Sequence, residues 1–281
     1  MTPVKAAEIL GTDTLTFVEP EFADQTEAMF NTVLADYEID EGRLLLDEEQ
    51  EPLAIAFHGA DGWVAGSFLY RNPSATLIER FEGVNGEILQ EDRDIWAGAV
   101  RDYFSRKIMA DVIPAIEDLN PKRRGILKSL IAGVWGKGNG EICIDCGCGS
   151  GVGSLVLRDL GFLPLAYDND ETLLSRGFME GRLLPEETMW LDATNASCYI
   201  DPAPKGIAIM AGEINSFSEE MWERIIGELF TVTRETLITL GTEKEALQVK
   251  EWGAAMDRVI DVKENPADPI YDLWVCHAKP A

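Results

Sequence analysis

The most informative stretch of the chain is residues 141–153, which read EICIDCGCGSGVG. Its first residues, Ile142 to Asp145, form a short apolar run typical of a buried strand, and glycines then occupy every second position. Glycine adopts backbone conformations that other residues rarely reach, and it lets backbone amides approach a ligand closely. The pattern therefore predicts a strand, a glycine-rich loop and a helix that together hold a nucleotide-like ligand.

Two further strands are each predicted to end in an acidic residue. Leu163 to Tyr167 is followed by Asp168, 19 residues after Gly149, and Met189 to Leu191 is followed by Asp192. An acid at the end of the second strand can accept hydrogen bonds from ribose hydroxyls. Because parallel strands have their carboxyl ends at one edge of a sheet, the loop and both acids should meet there.

From residue 141 onward, short apolar runs alternate with amphipathic stretches, which is typical of a parallel α/β sheet. Strands are predicted at residues 141–145, 163–167, 188–191, 206–211, 235–240, 258–263 and 271–278. Helices are predicted at residues 151–160, 171–180, 218–230 and 243–256. Another amphipathic helix should follow Asn120-Pro121, because Asn120 can cap it and Pro121 suits its first turn.

The first 120 residues predict a different arrangement. The expected elements are a helix near Asp24 to Tyr37, an acidic turn region from Glu38 to Glu51, two elements within Pro52 to Tyr70 around a Gly59–Gly62 turn, and a helix from Asp94 to Ile113. Trp96, Tyr103 and Phe104 recur at helical spacing in that last helix, which favours a place in the core over the alternative of an acceptor pocket. An accessory region that is mainly helical or mixed α/β is expected.

Composition and charge restrict the class of protein. The chain has 281 residues, of which 46% are hydrophobic and 26% are charged, as in globular proteins. Its net charge of -26 repels nucleic-acid phosphates and anionic membranes. Residues 1–120 hold 25 acidic and 8 basic residues, a net charge of -17, whereas residues 121–281 hold 25 and 16, a net charge of -9. The two parts are therefore predicted to have different roles.

The start of the chain lacks the pattern of a signal peptide, and no run is apolar enough for a membrane span. Five cysteines, an odd number in a large chain, favour a reducing compartment, so a cytoplasmic location is expected. The spacing of Cys143, Cys146, Cys148 and Cys198 yields no closed set of ligands, so no metal site is predicted.

The run Asp145-Cys-Gly147-Cys-Gly149-Ser-Gly151 resembles the first motif of class I S-adenosylmethionine-dependent methyltransferases, in which an acid precedes alternating glycines. The resemblance covers about residues 121–281, including the last two apolar runs. It implies an α/β fold with a Rossmann-like mixed seven-stranded sheet whose last strand is reversed. Residues 121–281 would then bind the cofactor, and the acidic residues 1–120 would form a cap or a substrate-selecting region.

The resemblance implies S-adenosylmethionine as cofactor and a set of residues that bind it: Asp145, Cys146, Gly147, Gly149, Gly151, Asp168, Asn169, Asp192 and Ala193. Asp145 would lie near the amino group of the cofactor, the glycines under its methionine portion, Asp168 at its ribose, and Asp192-Ala193 at its adenine.

The family places groups that face the methyl acceptor after the fourth strand, where this chain has Glu213 and Asn215. As catalytic residues, Glu213 would accept a proton or hold a cationic acceptor, and Asn215 would orient the acceptor. The alternative is that Glu213 caps the following helix or is solvated. The basic run Lys122-Arg123-Arg124 is expected to be a solvated first turn, with an anionic substrate group as the alternative.

The function that follows is methyl transfer, by in-line displacement, to a small molecule or a protein rather than to nucleic acid. One alternative is a regulatory protein that binds S-adenosylmethionine and has no acceptor of its own. The other is a nicotinamide-dependent oxidoreductase, whose fingerprint requires glycines at its first, third and sixth positions. Here the sixth position is Val152 or Ser154, depending on the starting glycine, so the fit is incomplete.

Overall fold

The computed structural model describes residues 5–60, 62–84 and 86–281. Contacts divide the chain into two compact units, Met1–Lys107 and Ile108–Ala281. The sequence prediction divides the chain after residue 120 instead, so residues 108–120 group by their contacts with the second unit. Each unit contains a sheet of its own.

The first unit is mixed α/β. Its strands are β1 (Thr16–Phe17), β2 (Glu41–Leu46), β3 (Pro52–Gly59), β4 (Gly62–Ser67) and β5 (Glu87–Gln90). Its helices are α1 (Ala6–Ile9), α2 (Met29–Ala35), α3 (Ala75–Gly83) and the first part of α4 (Arg93–Asp111), and a 3₁₀ turn spans Phe22–Thr26. The sheet order is β1-β4-β3-β2-β5, in which β2, β3 and β4 are antiparallel neighbours.

Two expectations for this unit have different outcomes. The pair of elements within Pro52 to Tyr70 is observed as β3 and β4, with Gly59 opposite Gly62. The prediction of an acidic turn region from Glu38 to Glu51 was wrong, because β2 lies within these residues. Leu44 and Leu45 of that strand are buried and pair with β3, and this burial offsets the polar flanks that suggested a turn.

Apolar side chains from the helices and from the sheet form the core of the first unit. It consists of Leu34, Ala35, Leu44, Ile55, Phe57, Val64, Phe68, Leu77 and Phe81. Trp96 is fully buried, and the ring of Phe17 lies 4.8 Å from that of Tyr103. These aromatic residues of α4 therefore belong to the core.

The second unit is a layered α/β structure. Its strands are β6 (Ile142–Cys146), β7 (Leu163–Asp168), β8 (Thr188–Trp190), β9 (Ala203–Ala208), β10 (Thr233–Leu240), β11 (Arg258–Glu264) and β12 (Trp274–Pro280). Its helices are α5 (Arg123–Trp135), α6 (Val152–Leu160), α7 (Glu171–Met179), α8 (Glu219–Val232) and α9 (Glu243–Ala255). Shorter 3₁₀ turns span Pro185–Glu187 and Ala193–Cys198.

The strand order of this sheet is β11-β12-β10-β9-β6-β7-β8. Strands β6 to β10 are parallel, whereas β12 runs antiparallel to both β10 and β11, between which it lies. The expectation of a Rossmann-like mixed seven-stranded sheet with a reversed last strand is confirmed. This strand arrangement is the one that the sequence resemblance implied.

One predicted strand is displaced along the chain. We expected a strand at residues 206–211, but β9 spans Ala203–Ala208. Ala203 pairs with Thr233 of β10, and the pairing of β9 with β6 begins only at Lys205. Pro204 is tolerated because it lies at the start of the strand, where a backbone donor is dispensable.

Helices α5 and α6 share one hydrophobic cluster with the sheet. Its fully or largely buried members are Leu127, Ile131, Cys143, Val156, Leu157, Leu160, Phe162, Ile207, Leu237 and Val275. Asn120 stabilises the start of α5, since its Oδ1 accepts a hydrogen bond from the amide of Lys122 over 3.0 Å. No helix in the described ranges combines the length and the apolar composition that crossing a membrane requires.

Candidate functional site

The candidate site lies where the connections of the parallel sheet change direction. Strand β6 is central, with β7 on one side and β9 on the other. The connections that follow neighbouring strands therefore run to opposite faces of the sheet, and a crevice opens between them. Such a switch point at the carboxyl ends of strands is the usual ligand site of open α/β sheets.

The glycine-rich loop between β6 and α6 uses its glycines in two ways. Gly147 has a φ of +62°, and a Cβ atom built on it meets no atom within 4 Å, so its surface faces open space. Gly153 instead lies against Asp145, whose Oδ2 would be only 2.7 Å from such a Cβ. One glycine thus leaves room for a ligand, and the other lets α6 approach β6.

Asp168 connects the second strand to this loop. Its Oδ2 accepts a hydrogen bond from the amide of Gly149 over 2.7 Å, and its Oδ1 accepts one from the amide of Asp170 over 2.8 Å. Burial raises the pKa of Asp168 above its ordinary value, against the opposing effect of these amide hydrogen bonds. The carboxylate still has lone-pair capacity to accept a hydrogen bond from a hydroxyl of a ligand.

The third strand brings Asp192 to the same edge. The side chain of Asp192 caps the following 3₁₀ turn, because its Oδ1 accepts from the amide of Thr194 over 2.9 Å. The indole of Trp190 donates to the carbonyl of Asn169 over 3.0 Å, which ties the ends of β7 and β8 together. The two acidic strand ends are thus held in fixed proximity.

These strand ends enclose a cavity of about 270 Å³. This volume is close to the lower limit of small-molecule sites, roughly 300 Å³. Its walls are formed by Cys146, Gly147, Asp168, Asn169, Asp192, Ala193, Thr194, Ala208, Ile209, Met210, Ala211, Met221, Trp222 and Ile225. Of the predicted cofactor-binding residues, Cys146, Gly147, Asp168, Asn169, Asp192 and Ala193 line it, whereas Asp145, Gly149 and Gly151 do not.

Asp145 lies beneath the loop rather than at the cavity surface. It is 1% exposed, and its Oδ2 accepts a hydrogen bond from the hydroxyl of Ser154 over 2.6 Å. Burial raises the pKa of Asp145 to about 7, although the Ser154 hydrogen bonds act in the opposite direction. Burial likewise raises the pKa of the neighbouring Cys146 thiol to about 12, so this cavity-lining cysteine remains protonated at neutral pH.

The apolar wall of the cavity on the side of α8 was not indicated by the sequence. Trp222 and Ile225 reach the cavity from this helix, and Met210 reaches it from the turn after β9. The amphipathic pattern of α8 was visible, but it does not show which side chains meet a cavity. Arg224 of the same helix fastens the opposite wall, since its Nε donates to the carbonyl of Thr194 over 3.0 Å.

Met210 has an unusual backbone conformation at this wall. Its φ is +61°, which costs a side-chain-bearing residue roughly 1–2 kcal/mol. The amide of Met210 donates to the hydroxyl of Thr239 over 2.7 Å, and that hydroxyl donates to Oδ1 of Asp272 over 2.5 Å. Asp272 is buried and pairs with Arg123 at 3.3 Å. A buried polar chain thus holds Met210 in place.

The basic run at the start of α5 is engaged within the unit. Arg123 pairs with Asp272, and Arg124 binds both carboxylate oxygens of Asp159, the shorter contact being 2.7 Å. These acids neutralise two of the three cations that would otherwise attract an anionic substrate. Only the Arg124 contact fits the expected solvated first turn, because the Arg123 side chain is largely buried.

The predicted catalytic residues lie outside the cavity walls. Glu213 and Asn215 are exposed, in the segment between β9 and α8. The carbonyl of Glu213 accepts from the hydroxyl of Ser218 over 2.6 Å, and Oδ1 of Asn215 accepts from the amide of Phe217 over 2.9 Å. In this arrangement both residues take part in the turn that leads into α8.

Within residues 5–60, 62–84 and 86–281, no group of three or more His, Cys, Asp and Glu side chains is arranged to hold a metal ion. His58 lies beside Asp40, and His277 lies beside Glu235 on the sheet. Neither histidine lines the cavity.

Comparison with solved structures finds similar folds at low sequence identity. Magnesium protoporphyrin IX methyltransferase from Synechocystis PCC 6803, solved with bound SAM, aligns with a TM-score of 0.47 and 16% identity over 65% of this chain and 96% of that chain. Precorrin-6y C5,15-methyltransferase from Geobacter metallireducens GS-15 aligns with 0.45 and 12% identity over 61% and 95%. A putative RNA methyltransferase from Pyrococcus horikoshii aligns with 0.44 and 11% identity over 62% and 94%.

No protein-family model matches the sequence, and no curated protein sequence matches it either.

Proposed function

We propose that this protein binds S-adenosylmethionine in the cavity of the second unit and transfers its methyl group to an acceptor. One observation carries the proposal: three adjacent strand ends bring the glycine-rich loop, Asp168 and Asp192 to a single cavity of about 270 Å³. Acids and exposed loop amides in this order suit a ligand with a ribose and an adenine.

The residues present fit such a cofactor. The open space beside Gly147 leaves room for the methionine portion, and a side chain there would fill it. Asp168 retains lone pairs for ribose hydroxyls. The apolar wall with Trp222 and Ile225 suits the faces of a purine ring. Asp145 acts indirectly in this proposal, because it supports the loop from below.

Bound S-adenosylmethionine would supply a methyl group on a positively charged sulfur, ready for in-line displacement by a nucleophile. The task of the protein is then to align the reactants and to exclude water from them. This chemistry requires no catalytic triad or metal. Glu213 as proton acceptor and Asn215 as orienting residue remain our candidates on the acceptor side, at the exposed turn after β9.

The acceptor that we propose is a small molecule or a protein. A net charge of -26 disfavours long nucleic acids and favours neutral or cationic groups. We also propose that the acidic residues 1–120 take part in acceptor selection, because every cofactor-type residue lies after residue 140.

Calorimetric titration of the intact protein with S-adenosylhomocysteine tests cofactor binding. We expect a 1:1 complex in the wild type and a large loss of affinity in Asp168→Ala. If the wild type does not bind, the proposal is wrong.

Labelled methyl transfer separates an enzyme from a regulatory binding protein. Incubation of the protein and labelled S-adenosylmethionine with a cell extract should label an acceptor reproducibly. Binding without any transfer would favour the regulatory alternative.

The oxidoreductase alternative predicts that NAD(H) or NADP(H) raises the melting temperature. We expect no such shift, because β12 interrupts the parallel order that dinucleotide-binding sheets continue to their edge.

A further inference from the structure

The chain between α4 and α5 is bound tightly to the cofactor side of the second unit, although it has no regular secondary structure. We call residues 112–117 the strap. The hydroxyl of Ser175 donates to the carbonyl of Val112 over 2.9 Å, and the amide of Ala115 donates to the carbonyl of Thr172 over 3.0 Å. Both bonds attach the strap to α7, which begins three residues after Asp168.

The third attachment joins the strap to the glycine-rich loop itself. The hydroxyl of Ser150, in the middle of the loop, donates to Oε1 of Glu117. Arg182 Nη2 donates to the other carboxylate oxygen of Glu117 over 2.5 Å. Ser150 is 6% exposed and Arg182 is 8% exposed, so water competes little for these groups.

The loop is also packed closely from the Arg182 side. A Cβ on Gly151 would be 2.5 Å from Cγ of Leu183, and one on Gly177 would be 2.5 Å from its Cδ1. Arg158 donates to the carbonyl of Arg182 and pairs with Glu187 at 3.2 Å. The backbone at Arg182 and Leu183 is therefore fixed beside the loop. Glu117 links this backbone to the strap through its contact with Arg182.

Glu117 has the charge that this role requires. Burial by itself would raise the pKa of Glu117, but the hydrogen bonds from Ser150 and Arg182 and the positive charge of Arg182 outweigh it, so the pKa lies below its ordinary value. Glu117 is therefore ionised at neutral pH. A carboxylate that accepts two hydrogen bonds, one of them from a cation, is a strong and directional anchor.

The loop needs such an anchor because its backbone is intrinsically free. Gly147, Gly149 and Gly151 all have positive φ values, and glycine loses more conformational entropy on ordering than any other residue. A loop that is ordered before binding does not pay this cost when the ligand arrives.

We propose that Glu117 is a positioning residue for the cofactor: through Ser150 and Arg182 it holds the glycine-rich loop in its binding conformation. The inference rests on the proposed function, because the effect is on affinity for S-adenosylmethionine and its product. Glu117 itself does not line the cavity. The sequence around it has no motif that indicates the role.

Titration with S-adenosylhomocysteine of the full-length protein tests the proposal. Glu117→Ala removes both acceptors, Glu117→Gln keeps one acceptor oxygen, and Ser150→Ala removes the donor on the loop. We expect a loss of affinity of about tenfold in Glu117→Ala, a smaller loss in Glu117→Gln, and a Ser150→Ala/Glu117→Ala double variant no weaker than Glu117→Ala alone. Asp118→Asn, the exposed neighbour, should bind like the wild type.

Hydrogen exchange separates positioning from general destabilisation. In the free Glu117 variants, a peptide covering residues 146–155 should exchange faster, while β10 exchanges as in the wild type and the melting temperature changes little. Affinities within twofold of the wild type in both Glu117 variants and in Ser150→Ala would overturn the inference. A wild type that does not bind would overturn the proposed function instead.

Discussion

The carboxylate of Asp168 accepts a hydrogen bond from the backbone amide of Gly149 over 2.7 Å, although 19 residues separate them in the chain. This bond joins the end of β7 to the glycine-rich loop after β6. The acid that would bind a ribose therefore also fixes the loop under the neighbouring part of the ligand.

Replacing Asp168 by asparagine should weaken the binding of S-adenosylhomocysteine by about 10- to 100-fold. The side-chain amide offers one acceptor oxygen where the carboxylate accepts from both Gly149 and Asp170, and charged hydrogen bonds contribute about 1.5–3 kcal/mol. Calorimetric titration measures the change. Asp170→Asn is the matched control, because asparagine also caps helices well and should preserve binding. Equal affinities of Asp168→Asn and the wild type would contradict this role.

Gly147→Ala should abolish or greatly weaken cofactor binding at a modest cost in stability. A side chain at φ +62° is strained by about 1–2 kcal/mol, and its methyl group would enter the space of the cavity. Gly181→Ala is a close control, since Gly181 has a φ of +64°, no atom within 4 Å of a Cβ, and no place in the cavity walls. Melting curves should show similar losses for both variants, and only Gly147→Ala should lose affinity in the titration.

Asp145→Asn should change how stability depends on pH. The pKa of Asp145 is raised by burial to about 7 in the folded protein, so between about pH 4 and pH 7 the folded chain keeps a proton that the unfolded chain releases. The stability that the folded protein gains from this retained proton is complete at low pH and is lost as the pH rises through 7. An asparagine avoids the cost of a buried charge. The free energy of unfolding of Asp145→Asn should therefore increase relative to that of the wild type as the pH rises, by several kcal/mol and about 4 at most.

Denaturant titrations from pH 5 to pH 8 measure this difference. The control is Asp201→Asn, at an exposed carboxylate, which should change the free energy of unfolding by a similar amount at every pH in this range. Parallel curves for Asp145→Asn and the wild type would argue against a buried acid with a raised pKa.

In the first unit, Arg71→Met should destabilise the fold by about 3–5 kcal/mol. The guanidinium of Arg71 contacts the carboxylate of Glu19, and both side chains are almost fully buried. Burial already raises the pKa of Glu19 despite the opposing effect of Arg71, and removal of Arg71 leaves this buried acid without its cationic partner.

The double variant Glu19→Gln/Arg71→Met should recover part of this loss, because no unpaired charge is then buried. Lys263→Met removes the cation of an exposed pair with Asp261 and should cost less than about 1 kcal/mol. Circular dichroism during denaturant unfolding measures all four proteins, including the wild type. Similar losses for Arg71→Met and Lys263→Met would contradict the importance of burial.

Local sequence was sufficient to predict the three strands that carry the candidate site, whereas the reversed last strand was expected from the family resemblance. The apolar runs ending at Asp145, Asp168 and Asp192 are short, and glycine, acid or turn residues follow each of them within two positions. Strand ends of this kind depend on neighbouring residues, and the topology of parallel sheets then brings them to one edge. The sheet of the first unit was harder to predict from local sequence. The acidic residues that flank β2 are typical of a turn, whereas the strand depends on its pairing with β3.

The contacts that complete the site depend on packing between distant parts of the chain. Glu117 meets Ser150 across 33 residues, and Arg123 meets Asp272 across 149. Trp222 belongs to an ordinary amphipathic helix, whose pattern identifies an apolar face but not the cavity that it borders.

Residue order thus predicted the strands, the loop and the two acids, because hydrophobic periodicity and backbone freedom act over a few residues. The wall, the strap and the burial of Asp145 came from the folded chain, because hydrogen bonds and desolvation depend on which atoms become neighbours in space.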